Sequence, residues 1–231
     1  MRRFSEGGDS VMEYHEAVLV DLGGPLTRLL PDPQHLELAN RLADEASRRG
    51  GSGVVADLSP AATRDHVQLL RELAATHPDL AAEVLPLATE AELAAAHLAT
   101  PAPGAAEFLA AARAAGLGIA VVSNNDQAAV TAALEACGLA EYVDFVSARR
   151  ADALESLKPA PDLLMLAMAA LNVRSATMFG DTPSDVLAAH AAGIPAVGVT
   201  ADHGQAALLR DAGAEIVVEH LDPADLSRGL R

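Results

Sequence analysis

The 231-residue chain contains one cysteine, Cys137, and no tryptophan. A single cysteine excludes an intrachain disulfide and any thiolate metal cluster, and it fits a reducing compartment, so a cytoplasmic location is expected. Cys137, placed just before Gly138, reads as a small buried hydrophobe. Aromatic residues make up 3% of the chain. The core must therefore be built from small aliphatic side chains, and the alanine- and leucine-rich composition favours closely packed helices. No apolar run approaches the ~20 residues needed to span a bilayer, and no membrane partner is expected. Residues 1–15 have two arginines but no apolar stretch behind them, so they read as a loose polar leader rather than a secretory signal. Positive charge is scarce as well. Sixteen Lys and Arg stand against 32 Asp and Glu, a formal net charge of −16, and Lys158 is the sole lysine. Such a field repels a polyphosphate backbone, which excludes nucleic acid as an expected partner. It also works against a small anionic ligand unless a bound cation or a few local positive groups override it.

Half of the residues, 51%, are hydrophobic, enough for one good-sized domain or a core with a smaller insert. Apolar runs at 17–22, 116–123, 142–148, 176–180, 195–200 and 215–220 read as strands. Segments 127–138, 161–172, 184–193 and 204–213 read as helices between them. Strands apolar throughout and joined by helices predict a doubly wound, mostly parallel α/β sheet covered on both faces. Residues 28–99 differ. They hold three helical stretches opened by proline, serine or aspartate, with a flexible Arg-Gly-Gly-Ser-Gly joint at 49–53 and no strand of similar quality. The expected organisation is a core of residues 16–27 and 100–231 with a helical cap, 28–99, inserted after the first strand.

Ligands of open α/β sheets bind beyond the carboxyl ends of the strands. Asp21 stands at one such end, Ser123 with Asn124 and Asn125 at another, Gly180 and Asp181 at a third, and Lys158 in the loop before a helix. Asp21 is suited to attack phosphorus and form an aspartyl phosphate, with the adjacent glycines offering close approach and N–H groups; it equally suits an ordinary turn. Asp181 and Asp185 can hold a hard cation through oxygen. Thr182, Pro183 and Asp185 also make a good helix start without any ligand. Ser123 and Asn124 either bind a phosphate or cap the next helix. Lys158 either neutralises phosphate and orients Asp21 or lies in solvent.

In this order (Asp after the first strand, Ser after a middle one, Lys-Pro, then Gly-Asp-x-x-x-Asp) the residues resemble the four motifs of the haloacid dehalogenase superfamily. The resemblance covers nearly the whole chain, helical insert included. It implies a Rossmann-like core, Asp21 as nucleophile and Lys158 beside it, and phosphate held by Ser123, Asn124, Lys158 and Gly24. It also implies Mg²⁺ held by Asp21, Asp181, Asp185 and the Gly23 carbonyl. The implied ligand is a small phosphorylated metabolite, and a monomer or homodimer is the expected state.

One departure matters. Phosphatases of that superfamily usually read Asp-x-Asp-Gly-Thr in the first motif, and here the stretch is Asp21-Leu22-Gly23-Gly24-Pro25. The second aspartate, the general acid, is replaced by Gly23. Losing a general acid costs ~10²–10⁴-fold, about 3–5 kcal/mol of barrier. A slow phosphohydrolase, or one restricted to good leaving groups, is therefore the leading expectation. A substitute acid from the cap would be His35, His66 or Glu37, each otherwise a solvated helix residue. The alternative is a weak or inactive relative that binds a phosphorylated ligand or a protein partner. Phosphonate cleavage needs a cap lysine, which is absent. Dehalogenation needs no metal, against which the retained Asp181 and Asp185 argue. Arg28, Arg48, Arg49 and Arg64 either bind a substrate anion or form surface ion pairs.

Overall fold

β1 (Ala17–Val20) is buried on both faces, as its sequence Ala-Val-Leu-Val demands. A computed structural model of the chain describes residues 16–31 and 33–227, and the expected leader, 1–15, lies outside the described residues. The other strands are β2 (Gly118–Asp126), β3 (Phe145–Arg149), β4 (Ala176–Gly180), β5 (Ala196–Val199) and β6 (Ile216–Val218). They form one sheet in the order β3-β2-β1-β4-β5-β6, and every pairing is parallel. Side chains alternate across β1. Ala17 and Leu19 enter one apolar cluster, Val18 and Val20 the other. The fold is the doubly wound, Rossmann-like α/β sheet read from the sequence.

Four helices follow β1: α1 (Gln34–Gly50), α2 (Gly53–Ala56), α3 (His66–Thr76) and α4 (Pro78–Ala96). The core continues with α5 (Ala105–Ala114), α6 (Gln127–Ala136), α7 (Asp162–Leu171), α8 (Pro183–Ala191) and α9 (His203–Asp211). Phe108 and Leu109 of α5 and Val130 of α6 cover one sheet face; Leu163 and Leu164 of α7 and Val186 of α8 cover the other. The two ends of the helical segment are tied together beside the sheet. Thr27 Oγ1 donates to the Thr100 carbonyl at 2.7 Å, and the Ala102 N–H donates to the Leu26 carbonyl at 2.8 Å. Apolar residues of α1, α3 and α4 share a cluster with the α7–α8 face. No helix among the described residues is long and apolar enough to cross a membrane.

Several boundaries differ from the sequence pattern. The helical stretch read as opened by serine, which is Ser59, starts instead at His66, because Asp65 caps it by accepting the Val67 and Gln68 N–H groups. Ser59, the rival cap, has its N–H and hydroxyl bound to the Glu72 carboxylate at 2.7 and 2.6 Å. β3 starts at Phe145 because residues 140–142 form a 3₁₀ turn. β2 runs past Ser123 to Asp126 with a register shift against β3, so 123–126 is an irregular strand end rather than a free turn. The strand order reverses beside β1, which places a crevice at the carboxyl ends of β1 and β4.

Candidate active site

Lys158 is 2% exposed, not solvated. Its Nζ stands 2.7 Å from Asp21 Oδ1 and 2.6 Å from Asp185 Oδ1, and it donates to the Val122 carbonyl at 2.9 Å. The ammonium group donates two of its three protons, to Asp21 and the Val122 carbonyl, and faces Asp185 as an ion pair. The lysine backbone is gripped by Asn124. The Lys158 N–H donates to Asn124 Oδ1 at 2.8 Å, and Asn124 Nδ2 donates to the Lys158 carbonyl at 3.0 Å. This corrects the reading of Asn124 as a phosphate ligand, since both ends of its amide are spent on holding the Lys158 loop. Ser123 is buried, accepts the Asn125 N–H at 3.2 Å and lines the same cavity.

The acids converge from different strands. Carboxylate oxygens of Asp21, Asp181 and Asp185 all lie within 4.8 Å of one another. Asp185 also fulfils the plain helix-start role, its Oδ2 accepting the Thr182 N–H at 3.0 Å and hydroxyl at 2.7 Å. The two roles coexist on one carboxylate. Burial pushes Asp21 up to about 6, Lys158 opposes this, and the nearby Asp185 charge adds to it. Asp181 is held well above the usual carboxylate range by burial and by the charges of Asp21 and Asp185. For Lys158, burial alone would favour the neutral amine, but Asp185 and Asp21 outweigh it and hold the ammonium above its ordinary pKa. Three clustered carboxylates faced by one ammonium leave the pocket short of positive charge. Hard oxygen donors this close together fit a divalent cation, which would remove the repulsion that raises Asp21 and Asp181.

The glycines act by clearance. The Gly24 N–H donates to the Thr27 carbonyl at 2.9 Å, so it is not the phosphate donor expected from the sequence. Instead, with φ at +89°, a Cβ on Gly24 would stand 2.3 Å from Asp181 Oδ2. A Cβ on Gly180 would stand 2.3 Å from that of Asp185. At Gly23 an added Cβ would meet Asp21 Oδ2 at 3.6 Å, an ordinary contact.

Above these groups lies a cavity of about 1050 Å³ whose other walls include Arg28, His35 and His66. Glu37 and Arg64 are exposed and do not line it. Arg48 and Arg49 pair with Glu45, and Arg49 with Glu83 at 2.9 Å, which is the surface ion-pair reading. His66 is not a solvated residue: it is 5% exposed, with Nε2 2.8 Å from Glu92 Oε1. Glu92 and Arg149 form a buried network with His66 and the half-buried Asn125, of which the strand-end motifs mark only Asn125. Burial would raise Glu92, but the His66 hydrogen bond and the Arg149 charge outweigh it and bring it to about 2. Its one signal in sequence is position, because Glu92 falls on the buried stripe of Leu85, Ala88 and Ala96 along α4.

The model of the haloacid dehalogenase-like hydrolases matches residues 15–193, a span that contains Asp21, Ser123, Lys158, Asp181 and Asp185. The chain belongs to that family. A phosphoglycolate phosphatase encoded on a plasmid of Cupriavidus necator is 34% identical over 215 residues, covering 89% of this chain and 90% of that one. "Probable phosphatase IndB" of Dickeya dadantii is 38% identical over 119 residues, and the match spans 51% of each chain. Among solved structures, a "predicted phosphatase" from Clostridium acetobutylicum superposes with a TM-score of 0.69 at 21% identity, over 93% of this chain and 98% of that one. That likeness is one of fold.

Proposed function

We propose that this family member is a Mg²⁺-dependent phosphohydrolase that acts on a small phosphorylated metabolite through an aspartyl phosphate on Asp21. The reading rests on the buried convergence of Asp21, Lys158, Asp181 and Asp185 at the strand ends. Lys158 holds Asp21 in place through Oδ1 and sets its positive charge beside the phosphoryl group, an oxygen of which the Ser123 hydroxyl meets in the cavity. Asp21, Asp181, Asp185 and the Gly23 carbonyl would hold the cation. When bound, Mg²⁺ supplies charge that draws the phosphate to three acids and stabilises its developing negative charge. The phosphoglycolate phosphatase among the relatives supports a small anionic phosphomonoester as substrate, and Arg28 gives the cavity a cation for a second acidic group.

Gly23 favours one further reading, a protein that binds a phosphorylated ligand and turns it over poorly. One experiment separates the two. Wild type and Asp21→Asn are incubated with Mg²⁺ and acetyl phosphate, p-nitrophenyl phosphate and phosphoglycolate, with and without EDTA. Turnover that both EDTA and Asp21→Asn abolish is expected. No turnover of any of the three, with Mg²⁺-dependent binding of a phosphate mimic, rejects the enzyme in favour of the binder.

A further inference from the structure

Within the reading just given, on which this inference rests, we propose that His66, oriented by Glu92, is the general acid and base that takes the place of the carboxyl group missing at Gly23. Glu92 has no exposed side-chain surface. Its Oε1 accepts from His66 Nε2 at 2.8 Å, Arg149 Nη1 at 2.9 Å and Asn125 Nδ2 at 3.0 Å. Its Oε2 accepts from Arg149 Nη2 at 2.7 Å and the Asp126 N–H at 2.9 Å. A carboxylate surrounded in this way by N–H donors is an acceptor only, so His66 Nε2 must carry a hydrogen. Nδ1 is then the ring nitrogen that gains and loses the proton.

That nitrogen has no hydrogen-bond partner and is closed to solvent in this conformation; it belongs to a side chain 7% exposed, and the ring must turn outward for Nδ1 to meet a leaving oxygen. The ring lines the cavity that holds Asp21 and Lys158. Asn125 joins the dyad to the phosphate end, because its side chain donates to Glu92 while its backbone N–H donates to Ser123 Oγ at 3.2 Å. The charged groups around the ring are Glu92 on α4, Arg149 at the end of β3 and Asp65 at the start of α3, with Arg28 and His35 also on the cavity wall. A simple clamp between α4 and the β2 end accounts for Glu92, Arg149 and Asn125. Two buried nitrogens of the cluster lack a partner, Arg149 Nε and His66 Nδ1, each at a cost to the fold, and of the two side chains only the imidazole lines the cavity, where a ligand can offset that cost.

The proton balance closes over two steps. An Asp21 carboxylate oxygen attacks phosphorus, and the bond from phosphorus to the ester oxygen breaks with its electron pair on that oxygen. The oxygen takes the proton from Nδ1 of the imidazolium, and the alcohol leaves. A water oxygen then attacks the aspartyl phosphate and gives a proton to neutral Nδ1. The bond from phosphorus to Asp21 breaks, and inorganic phosphate and the aspartate carboxylate are regenerated with His66 again protonated. The carboxylate–imidazole pairing orients the base as it does in acyl-transfer triads.

The test is a comparison of leaving groups with wild type and His66→Gln, whose amide keeps a donor for Glu92 but carries no transferable proton. On phosphoglycolate, an alkyl ester, kcat is expected to fall by ~10²-fold or more, the range of a lost general acid. Acetyl phosphate, which leaves as a stable carboxylate, is expected to change by less than ~5-fold, since departure of a good leaving group needs little general-acid help. Adding Gly23→Asp to His66→Gln is expected to restore at least ~10-fold on the alkyl ester by returning a general acid to the site. Equal losses on both substrates make His66 a clamp residue and overturn the proposal, and so does the absence of any loss. If His66→Gln does not fold, wild type alone decides. A shallow dependence of kcat on the leaving group across alkyl, aryl and acyl phosphates supports the acid, and a steep one overturns it. Failure of wild type on all three substrates, or activity surviving Asp21→Asn, instead rejects the parent reading and takes this one with it.

Discussion

Gly24 and Gly23 are neighbours in sequence with opposite tolerances. In Gly24→Ala the new Cβ would lie 2.3 Å from Asp181 Oδ2 at a φ of +89°. The left-handed backbone alone costs an L-residue about 1–2 kcal/mol. The contact is too short to persist, so the Asp181 carboxylate must swing away. That movement carries a compensation, because Asp181 is crowded by Asp21 and Asp185 and its departure relieves like-charge repulsion. The metal-free melting temperature therefore underreports the damage. The increment added by Mg²⁺ is the better measure. At 100 times its Kd, a ligand stabilises the fold by about 2.7 kcal/mol. For a chain of this size that corresponds to roughly 5–10 °C. Differential scanning fluorimetry with and without saturating Mg²⁺ should show most of this increment gone in Gly24→Ala. Gly23→Ala should keep it and should change metal-free stability by less than about 0.5 kcal/mol, the usual range where no contact is strained. A full Mg²⁺ increment in Gly24→Ala, or equal losses in the two variants, would refute the placement of Asp181 against the Gly24 backbone.

Two further outcomes are expected. Asp21, at about 6, and Asp181, held well above the ordinary carboxylate value of 3.8, both favour the fold when protonated; the Asp21 contribution is lost as pH rises through about 6, and that of Asp181 as pH rises through its own raised value. The Mg²⁺ increment in melting temperature should consequently be largest at pH 7.5 and shrink by pH 5, where the cation must displace protons; an increment independent of pH across that range contradicts the assignment. Arg149→Met leaves Glu92 buried without its guanidinium partner and should cost about 3–5 kcal/mol in urea unfolding, against near-neutral behaviour when Glu92→Leu is added. A single-variant loss below about 1 kcal/mol would show that Arg149 is not the charge that balances Glu92.

The sheet was legible because β1, β2, β4 and β5 are apolar on both faces and each ends in a polar group, a pattern that needs no long-range information. Asp21, Lys158, Asp181 and Asp185 were legible for the same reason, since each follows a strand, precedes a helix or lies in a helix's first turn at a fixed place in the alternation. α5 was not read, because its Ala-rich stretch offers little periodicity; its start depends on Gly104, whose Cβ would lie 2.0 Å from the Leu221 carbonyl, a neighbour far along the chain. Asn124 was misread because strand-end amides serve phosphate and backbone alike, and only the approach of the Lys158 loop decides between them. Glu92 and Arg149 are 57 positions apart. Nothing local distinguishes their pairing from the charges of an exposed helix face and a strand end.

The sole lysine lies sealed in the floor of the cavity, so the folded surface offers no side-chain amine at all. Acylating reagents, reductive methylation and lysine-directed tagging thus find no foothold on a side chain while the pocket stays closed. Any covalent mark on that amine becomes a record of the interior having opened, and it would remove the charge that pairs with Asp21 and Asp185.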